Sequence, residues 1–492
     1  MKKKIIVLKK IKEYNVFFDG TILAIVRCII LLSSIIQTML ISRFLTLEEY
    51  GVYSQLLMII SITSSFTVLG LNNAINYFYN IQEIQQNKDK YVSNIFNVTI
   101  ISGIIGVILC LIFRFQISNY FKNDSIAFLI LYILFIPMTD NLISLYNPIY
   151  ISLKKSKAIS IINFVISIIK TILIPLTYYL TKNLKYIFLS QLLINIIQVL
   201  FFAFDIKKYF KYQLCLNIRI IKEILKYAVP LAIATMVGTL FKESDKLIIA
   251  KLMTTKELAI YTNMSKQLPF EFISLSFVSV ITPIIVKELK NNMLSAAKIW
   301  KNFLEFSYII SWTLTCCAIL CSKELLIFLY SEKYIEGYSI FNIYLITELF
   351  RFTYFGLILS SCGKTGFITI SSIISLIVNM ILNILLYKII GFNGPAYATL
   401  FSTIAMGLIQ IVYSCKILNI KLHDLFNYKK LVKCISQLVI TGVILYFLKT
   451  YLFVFIDNNI LILIITSFIY IIINLFLLRK NLIVLIKELK YE

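Results

Sequence analysis

Six basic residues stand within long apolar stretches of the chain: Arg27, Lys170, Lys242, Lys246, Lys266 and Arg351. Six acids share such surroundings or sit at their ends: Asp140, Glu243, Asp245, Glu271, Glu305 and Glu348. A charge at the centre of a bilayer costs a few kcal/mol on insertion scales, so each is by default a candidate functional group. A cavity lined with extra positive charge would suit an anionic ligand. Arg grips phosphate oxygens in a planar fork and Lys acts as a point charge, which makes phosphate or diphosphate the natural partner. Among the acids, Asp140, Asp245 and Glu348 are the candidates for binding a coupling ion, H⁺ or Na⁺. Covalent chemistry finds no support. The single histidine, His423, cannot form a zinc site or a catalytic triad alone, and the nine cysteines lack ligand spacing. No catalytic residue, metal site or resident cofactor is expected.

Spacing groups the charges with other polar residues. Arg27, Ser34 and Thr38 share one helical stripe, as do Asn163, Ser167, Lys170 and Thr171. Thr235, Thr239, Lys242 and Lys246 form a third, flanked by Glu243 and Asp245, and Glu348 lies one turn before Arg351. Polar stripes on apolar helices read as the lining of a wet cavity. Two pairs, Glu348–Arg351 and Lys242–Asp245, can also satisfy each other locally at i, i+3. Arg27 and Lys266 are near enough to helix ends to snorkel. Lys170 and Arg27 have no partner nearby in sequence, and Asp140 could pair with either.

The elements that must carry these residues are transmembrane helices. The chain has 492 residues, 59% hydrophobic and only 15% charged, with a mean hydropathy of +0.87. Soluble domains carry roughly 25% charged residues, so a soluble fold is excluded. About fourteen segments are long enough to cross the hydrocarbon core, beginning near Gly20, Gly51, Val92, Ser125, Ala158, Leu184, Ala228, Ala259, Asn302, Tyr338, Gly366, Asn393, Lys433 and Asn459. Lipid offers no partners to free backbone groups, so the spans are helices and the class is an all-α polytopic membrane protein. The first run, Gly20 to Ile41, is too long for the core of a signal peptide. With fourteen spans, the connections on the side of the termini hold about 31 of the 48 Lys and Arg, and those on the other side about 11. That bias places both termini in the cytoplasm. It also accounts for most of the +24 net charge, so nucleic acid is not an expected partner.

A weak internal repeat divides the chain. At an offset of 208, Thr46/Thr254, Glu49/Glu257 and Tyr53/Tyr261 are identical, and both copies join spans six helices apart, 1–2 and 7–8. An even number of intervening helices makes the repeat parallel, a layout found in transporters that rock about a central site. The expected organisation is an N-terminal lobe with a basic linker (1–227), a C-terminal lobe (228–415), and spans 13 and 14 with a cytoplasmic tail (416–492). Pro175, Pro230, Pro269 and Pro283 lie in or at the start of spans, Pro230 reading most simply as a helix-start proline.

Three segments carry a family resemblance. Ser42-Arg43-Phe44-Leu45 through Glu49-Tyr50-Gly51-Val52-Tyr53-Ser54 is similar to the first outer loop of polysaccharide-unit flippases. Asp245-Lys246-Leu247-Ile248-Ile249 followed by Ala259-Ile260-Tyr261 resembles their span 7–8 segment. Gly391-Phe392-Asn393-Gly394-Pro395-Ala396-Tyr397-Ala398-Thr399 resembles their Gly-x-x-Gly-Ala-Ala-x-Ala-Thr start of span 12, with Pro395 and Tyr397 where small residues are usual. In order and spacing these motifs resemble the O-antigen (Wzx-type) flippases, in the superfamily that includes MATE multidrug exporters and the lipid II flippase.

The resemblance implies two six-helix lobes in a V and alternating access. It implies a flippase, not an enzyme, that moves an undecaprenyl-diphosphate-linked oligosaccharide across the bacterial inner membrane for cell-surface polysaccharide assembly. Partners would be the lipid-linked oligosaccharide, membrane lipids and a polysaccharide polymerase, with a monomer as the default. Asp245 carries onto the family motif directly. Arg27, Lys170, Lys242, Lys246, Lys266 and Arg351 rest on the membrane-charge reasoning alone. The rivals are a cation-coupled multidrug exporter of the same superfamily, whose cavity should lean acidic, and a membrane polymerase or glycosyltransferase. The last would need an exposed catalytic loop, yet no outer loop exceeds about 16 residues and no Asp-x-Asp occurs.

Overall fold

The computed structural model describes residues 26, 29–80, 87–214, 216–266, 268, 270–455 and 458–491. The described residues are overwhelmingly helical, with no strand among them. In chain order the α-helices begin with α1 Ile29–Phe44, α2 Leu47–Thr67, α3 Leu71–Asn80, α4 Lys88–Phe121 and α5 Ser125–Ile133. There follow α6 Ile136–Ser152, α7 Ser156–Thr181, α8 Leu184–Ile206, α9 Ile218–Leu252 and α10 Thr255–Met264. The second half holds α11 Phe270–Asn291, α12 Met293–Leu320, α13 Ser322–Tyr330, α14 Tyr338–Phe350 and α15 Leu357–Ser361. The chain closes with α16 Thr365–Ile390, α17 Gly394–Leu418, α18 Leu422–Leu425, α19 Tyr428–Phe455 and α20 Asn459–Tyr491.

Ten helical stretches among the described residues are long and apolar enough to cross a bilayer. One of these, Thr365–Leu418, holds both α16 and α17. Spans 8 and 10 are each split into two shorter helices, and the first part of span 1, with Gly20, Arg27 and Cys28, lies outside the described residues. So does Pro269; the side chain of Glu271 also lies outside them. The fourteen-span reading thus maps onto the helices. Span 7 differs in extent: α9 starts at Ile218, so Pro230 lies inside a helix and is not its start.

Two compact units divide the chain, Met1–Glu243 and Ser244–Glu492. The division falls within α9, later than the expected boundary at 227/228, and spans 13 and 14 belong to the second unit. Ion pairs fasten them there. Lys430 reaches Glu305 of α12 at 2.9 Å. Lys449 reaches Glu324 of α13 at 2.7 Å and the Leu320 carbonyl at 2.8 Å. Leu438, Leu445, Tyr470 and Leu478 share an apolar core with Trp300, Phe303 and Ile309 of α12.

The repeat is realised as matched local structure. Thr46 and Thr254 each accept from the backbone N–H of a glutamate three residues on, at 3.2 and 3.3 Å. Glu49 and Glu257 each accept in return from the threonine N–H, at 2.9 and 2.8 Å. Both are capping boxes, which satisfy free donors at a helix start. The Gly-x-x-Gly motif of span 12 also has a physical basis. Gly391 has φ +72, and a Cβ on Gly394 would stand 2.4 Å from the Leu386 carbonyl group, so the α16–α17 turn closes only on glycine there. Pro395 falls in the first turn of α17, where its missing N–H costs nothing.

Candidate functional site

In the first unit, three apolar helices bring a cation and an anion to one side chain. Lys170, midway along α7, donates from Nζ to Asn195 Oδ1 of α8 at 2.7 Å. Asn195 Nδ2 donates to Asp140 Oδ1 of α6 at 2.8 Å and to Thr139 Oγ1 at 3.1 Å. The amide orientation is dictated by charge: only its oxygen can meet the ammonium, and only its nitrogen can meet the carboxylate. Asn195 is wholly buried, while Lys170 and Asp140 are half-buried. Next to Lys170, Thr171 Oγ1 donates to the Ser33 carbonyl of α1 at 3.1 Å. The predicted stripe on span 5 therefore faces polar partners on α1 and α8. Lys170 does meet Asp140, through an asparagine that sequence reasoning passed over. Its signal was present but shared: Asn195 stands between two further amides, Gln191 and Gln198, in the middle of the apolar run Leu184–Ile206.

In the second unit the acids and cations take different partners. Asp245 Oδ2 accepts from Tyr261 OH of α10 at 3.3 Å and from Tyr344 OH of α14, and the two hydroxyls lie 3.1 Å apart. Beside it, Ser244 Oγ donates to Asn379 Oδ1 of α16 at 2.6 Å, and Asn383 Nδ2 donates to the same oxygen at 3.0 Å. Asn379 Nδ2 reaches Thr399 and Ser402 of α17, both at 3.4 Å. Asn383 Oδ1 is buried and has no hydrogen-bond donor among the described residues. This cluster of carboxylate, amide and hydroxyl oxygens has the donor chemistry of a hard cation. Sequence reasoning identified Asp245 and missed Tyr261, Tyr344, Asn379 and Asn383 as its surroundings.

Arg351 stands where span 10 breaks. It caps α14, the helix resumes only at Leu357, and between them the chain is irregular. Side chains of α12 satisfy freed carbonyls there: Trp312 Nε1 donates to Leu349 O at 2.7 Å and Ser311 Oγ to Phe352 O at 3.4 Å. Arg351 Nη2 donates to Thr403 Oγ1 of α17 at 3.2 Å, and does not use Glu348 one turn back as its partner. Glu348 is buried. Lys242 is exposed on α9, Lys246 is half-buried one turn later, and Lys266 is half-buried at the end of α10, where span 8 is interrupted. Arg27 lies outside the described residues. Among the described residues no three His, Cys, Asp or Glu side chains cluster as a metal site.

Residues 40–338 match the sequence profile of a family described as polysaccharide biosynthesis protein. The chain belongs to this family. The chain is 24% identical over 393 residues to the uncharacterized membrane protein MJ1375 of Methanocaldococcus jannaschii, covering 76% of its own length and 91% of the relative's. Its fold is similar to that of the lipid II flippase MurJ in an inward closed conformation, with a TM-score of 0.72, 17% identity, and 94% and 99% of the two chains covered. It is also similar to an inward-facing multidrug resistance MATE family transporter of the MOP superfamily, with a TM-score of 0.60, 12% identity, and 79% and 94% covered. The chain is thus a multi-pass membrane protein with the fold of MOP-superfamily flippases and transporters.

Proposed function

We propose that the protein is a flippase that carries an undecaprenyl-diphosphate-linked oligosaccharide unit from the inner to the outer leaflet of a bacterial cytoplasmic membrane by alternating access. The observation that carries this reading is cationic: the chain keeps Arg351 at the break of span 10, and at the middle of span 5 it keeps Lys170, bridged through Asn195 to Asp140. Among the described residues Arg351 gives one donor, to Thr403, and most of its fork is left for phosphate oxygens. Broken helices at mid-membrane are where transporters hold their substrates. The headgroup moves without covalent change, so no catalytic residue is needed. The Lys and Arg bias supports cytoplasmic termini. Asp245, with the oxygen cluster around Asn379 and Asn383, is the proposed seat of H⁺ or Na⁺ coupling. The fold alone is shared with multidrug exporters; the family match favours the sugar-lipid cargo.

The test is a lipid extract of a deletion strain, analysed by mass spectrometry. Accumulation of one complete diphosphate-linked oligosaccharide with loss of surface polymer supports the proposal and identifies the cargo. Restoration of export by the Lys170→Gln/Arg351→Gln double variant would refute the assignment of these two cations. Persistence of polymer with no intermediate, together with new drug sensitivity, would establish the exporter reading instead.

A further inference from the structure

The first unit holds a second feature, apart from the Lys170 network. A cavity of about 290 Å³ lies among α4, α6, α8 and the connection that follows α8, lined by Phe96, Tyr146, Ala203, Lys207, Phe210 and Tyr212. The connection is not loosely draped over it. The N–H groups of Lys211, Gln213 and Asn217 donate to Asp89, Ser93 and Asn94 of α4 at 3.1, 3.0 and 3.0 Å. Asn97 Nδ2 donates to the Gln213 carbonyl at 3.3 Å, and Tyr212 OH donates to Asn97 Oδ1. These bonds make a fixed roof.

One tyrosine of α6 lines the cavity. Tyr146 is 4% exposed, its ring packed between Phe96 and Phe202 at 5.3 and 4.8 Å. Its side chain lines the cavity together with that of Tyr212. At the rim, Lys207 is exposed, and its ammonium lies over the Phe204 ring, 5.2 Å from its centroid. The neighbouring acids are engaged elsewhere. Asp205 is held by Tyr150 and by Lys208 at 3.2 Å, and Asp89 by the Lys211 N–H. Exposed apolar residues adjoin the cavity walls on both sides, Ile101 and Ile104 on α4 and Leu200 and Phe204 on α8. These are faces suited to lipid.

We infer that this cavity binds an anionic phospholipid of the surrounding leaflet. The end of one acyl chain enters between α4 and α8, the phosphate rests on Lys207, and Tyr146 donates to a headgroup or ester oxygen. The volume suits a chain segment, since pockets for whole ligands run from roughly 300 to 1,000 Å³. The rest of the lipid lies along the apolar perimeter. The charge at the rim selects an anionic over a zwitterionic headgroup.

Native mass spectrometry of the full chain, titrated with phosphatidylglycerol or phosphatidylethanolamine, tests this. The wild type should retain one phosphatidylglycerol with about fivefold preference, the scale of a single lysine beside an anionic headgroup. Lys207→Gln, at an exposed position, should erase the preference, and Ala203→Phe should abolish retention by filling the cavity. Tyr146→Phe should weaken retention of both lipids. Equal retention of the two lipids by the wild type, or undiminished retention in Lys207→Gln and Ala203→Phe, would show ordinary annular lipid and overturn the inference. A melting scan in detergent accompanies each variant. If Ala203→Phe fails to fold, Lys207→Gln and Tyr146→Phe still decide the matter. None of these readouts depends on flippase activity.

Discussion

Replacing Asn195 by leucine keeps the number and branching of the side chain's heavy atoms but breaks both arms of the intramembrane bridge. Lys170 loses its acceptor at 2.7 Å and Asp140 its donor at 2.8 Å. A hydrogen bond to a charged group contributes about 1.5–3 kcal/mol net, so the two together amount to ~3–6 kcal/mol. Against a typical total of about 5–15 kcal/mol this is a large loss. At about 2 °C per kcal/mol for a unit of some 250 residues, the melting temperature in detergent should fall by roughly 6–12 °C. Asn195→Asp alone should also be harmful. It keeps an acceptor for Lys170 but sets a second carboxylate against Asp140. Adding Asp140→Asn returns a donor at that position and restores one anion for one cation. The pair Asn195→Asp/Asp140→Asn should therefore melt close to wild type, well above the sum of the single effects. A leucine variant that melts within 2 °C of wild type, or a double variant that is merely additive, would refute the bridge as the link between spans 4, 5 and 6.

Three further outcomes are expected. Lys449→Met should lower the melting temperature sharply, since leaving Glu324 buried without its cation costs about 3–5 kcal/mol, whereas Lys449→Met/Glu324→Leu should sit near or above wild type; equal melting of the single and double variants would count against the pair. Gly394→Ala should reduce the yield of folded protein, because its Cβ would lie 2.4 Å from the Leu386 backbone, while Gly366→Ala, with open space, should not; equal yields would refute the tight turn. Glu49→Ala and Glu257→Ala should each cost about 1 kcal/mol in a melting scan as the capping boxes open. The first should cost more, because Glu49 also accepts from Tyr178 at 2.8 Å.

Much of this protein follows from its sequence alone. Apolar runs of span length can exist in lipid only as helices, so the spans and the two related halves could be read from hydropathy and from Thr46/Thr254 and Glu49/Glu257. Local chemistry was equally readable: the capping boxes and the glycine turn of span 12 depend on residues a few positions apart. Charges inside apolar runs were visible too, because their cost in lipid is set by the run and not by the partner. The partners were another matter. The i, i+3 reading offered Lys242 to Asp245 and Glu348 to Arg351, yet Asp245 takes the hydroxyls of Tyr261 and Tyr344, and Arg351 takes Thr403. Helical spacing shows which residues share a face but not which neighbouring helix covers it. Asn195 carries no charge and shares no sequence neighbourhood with Lys170 or Asp140, so only the packing of α6, α7 and α8 makes it the bridge. The break after Arg351 is likewise tertiary. Gly356 ends the irregular segment, but what makes the break tolerable is tertiary: Trp312 and Ser311 of α12 arrive to satisfy the freed carbonyls.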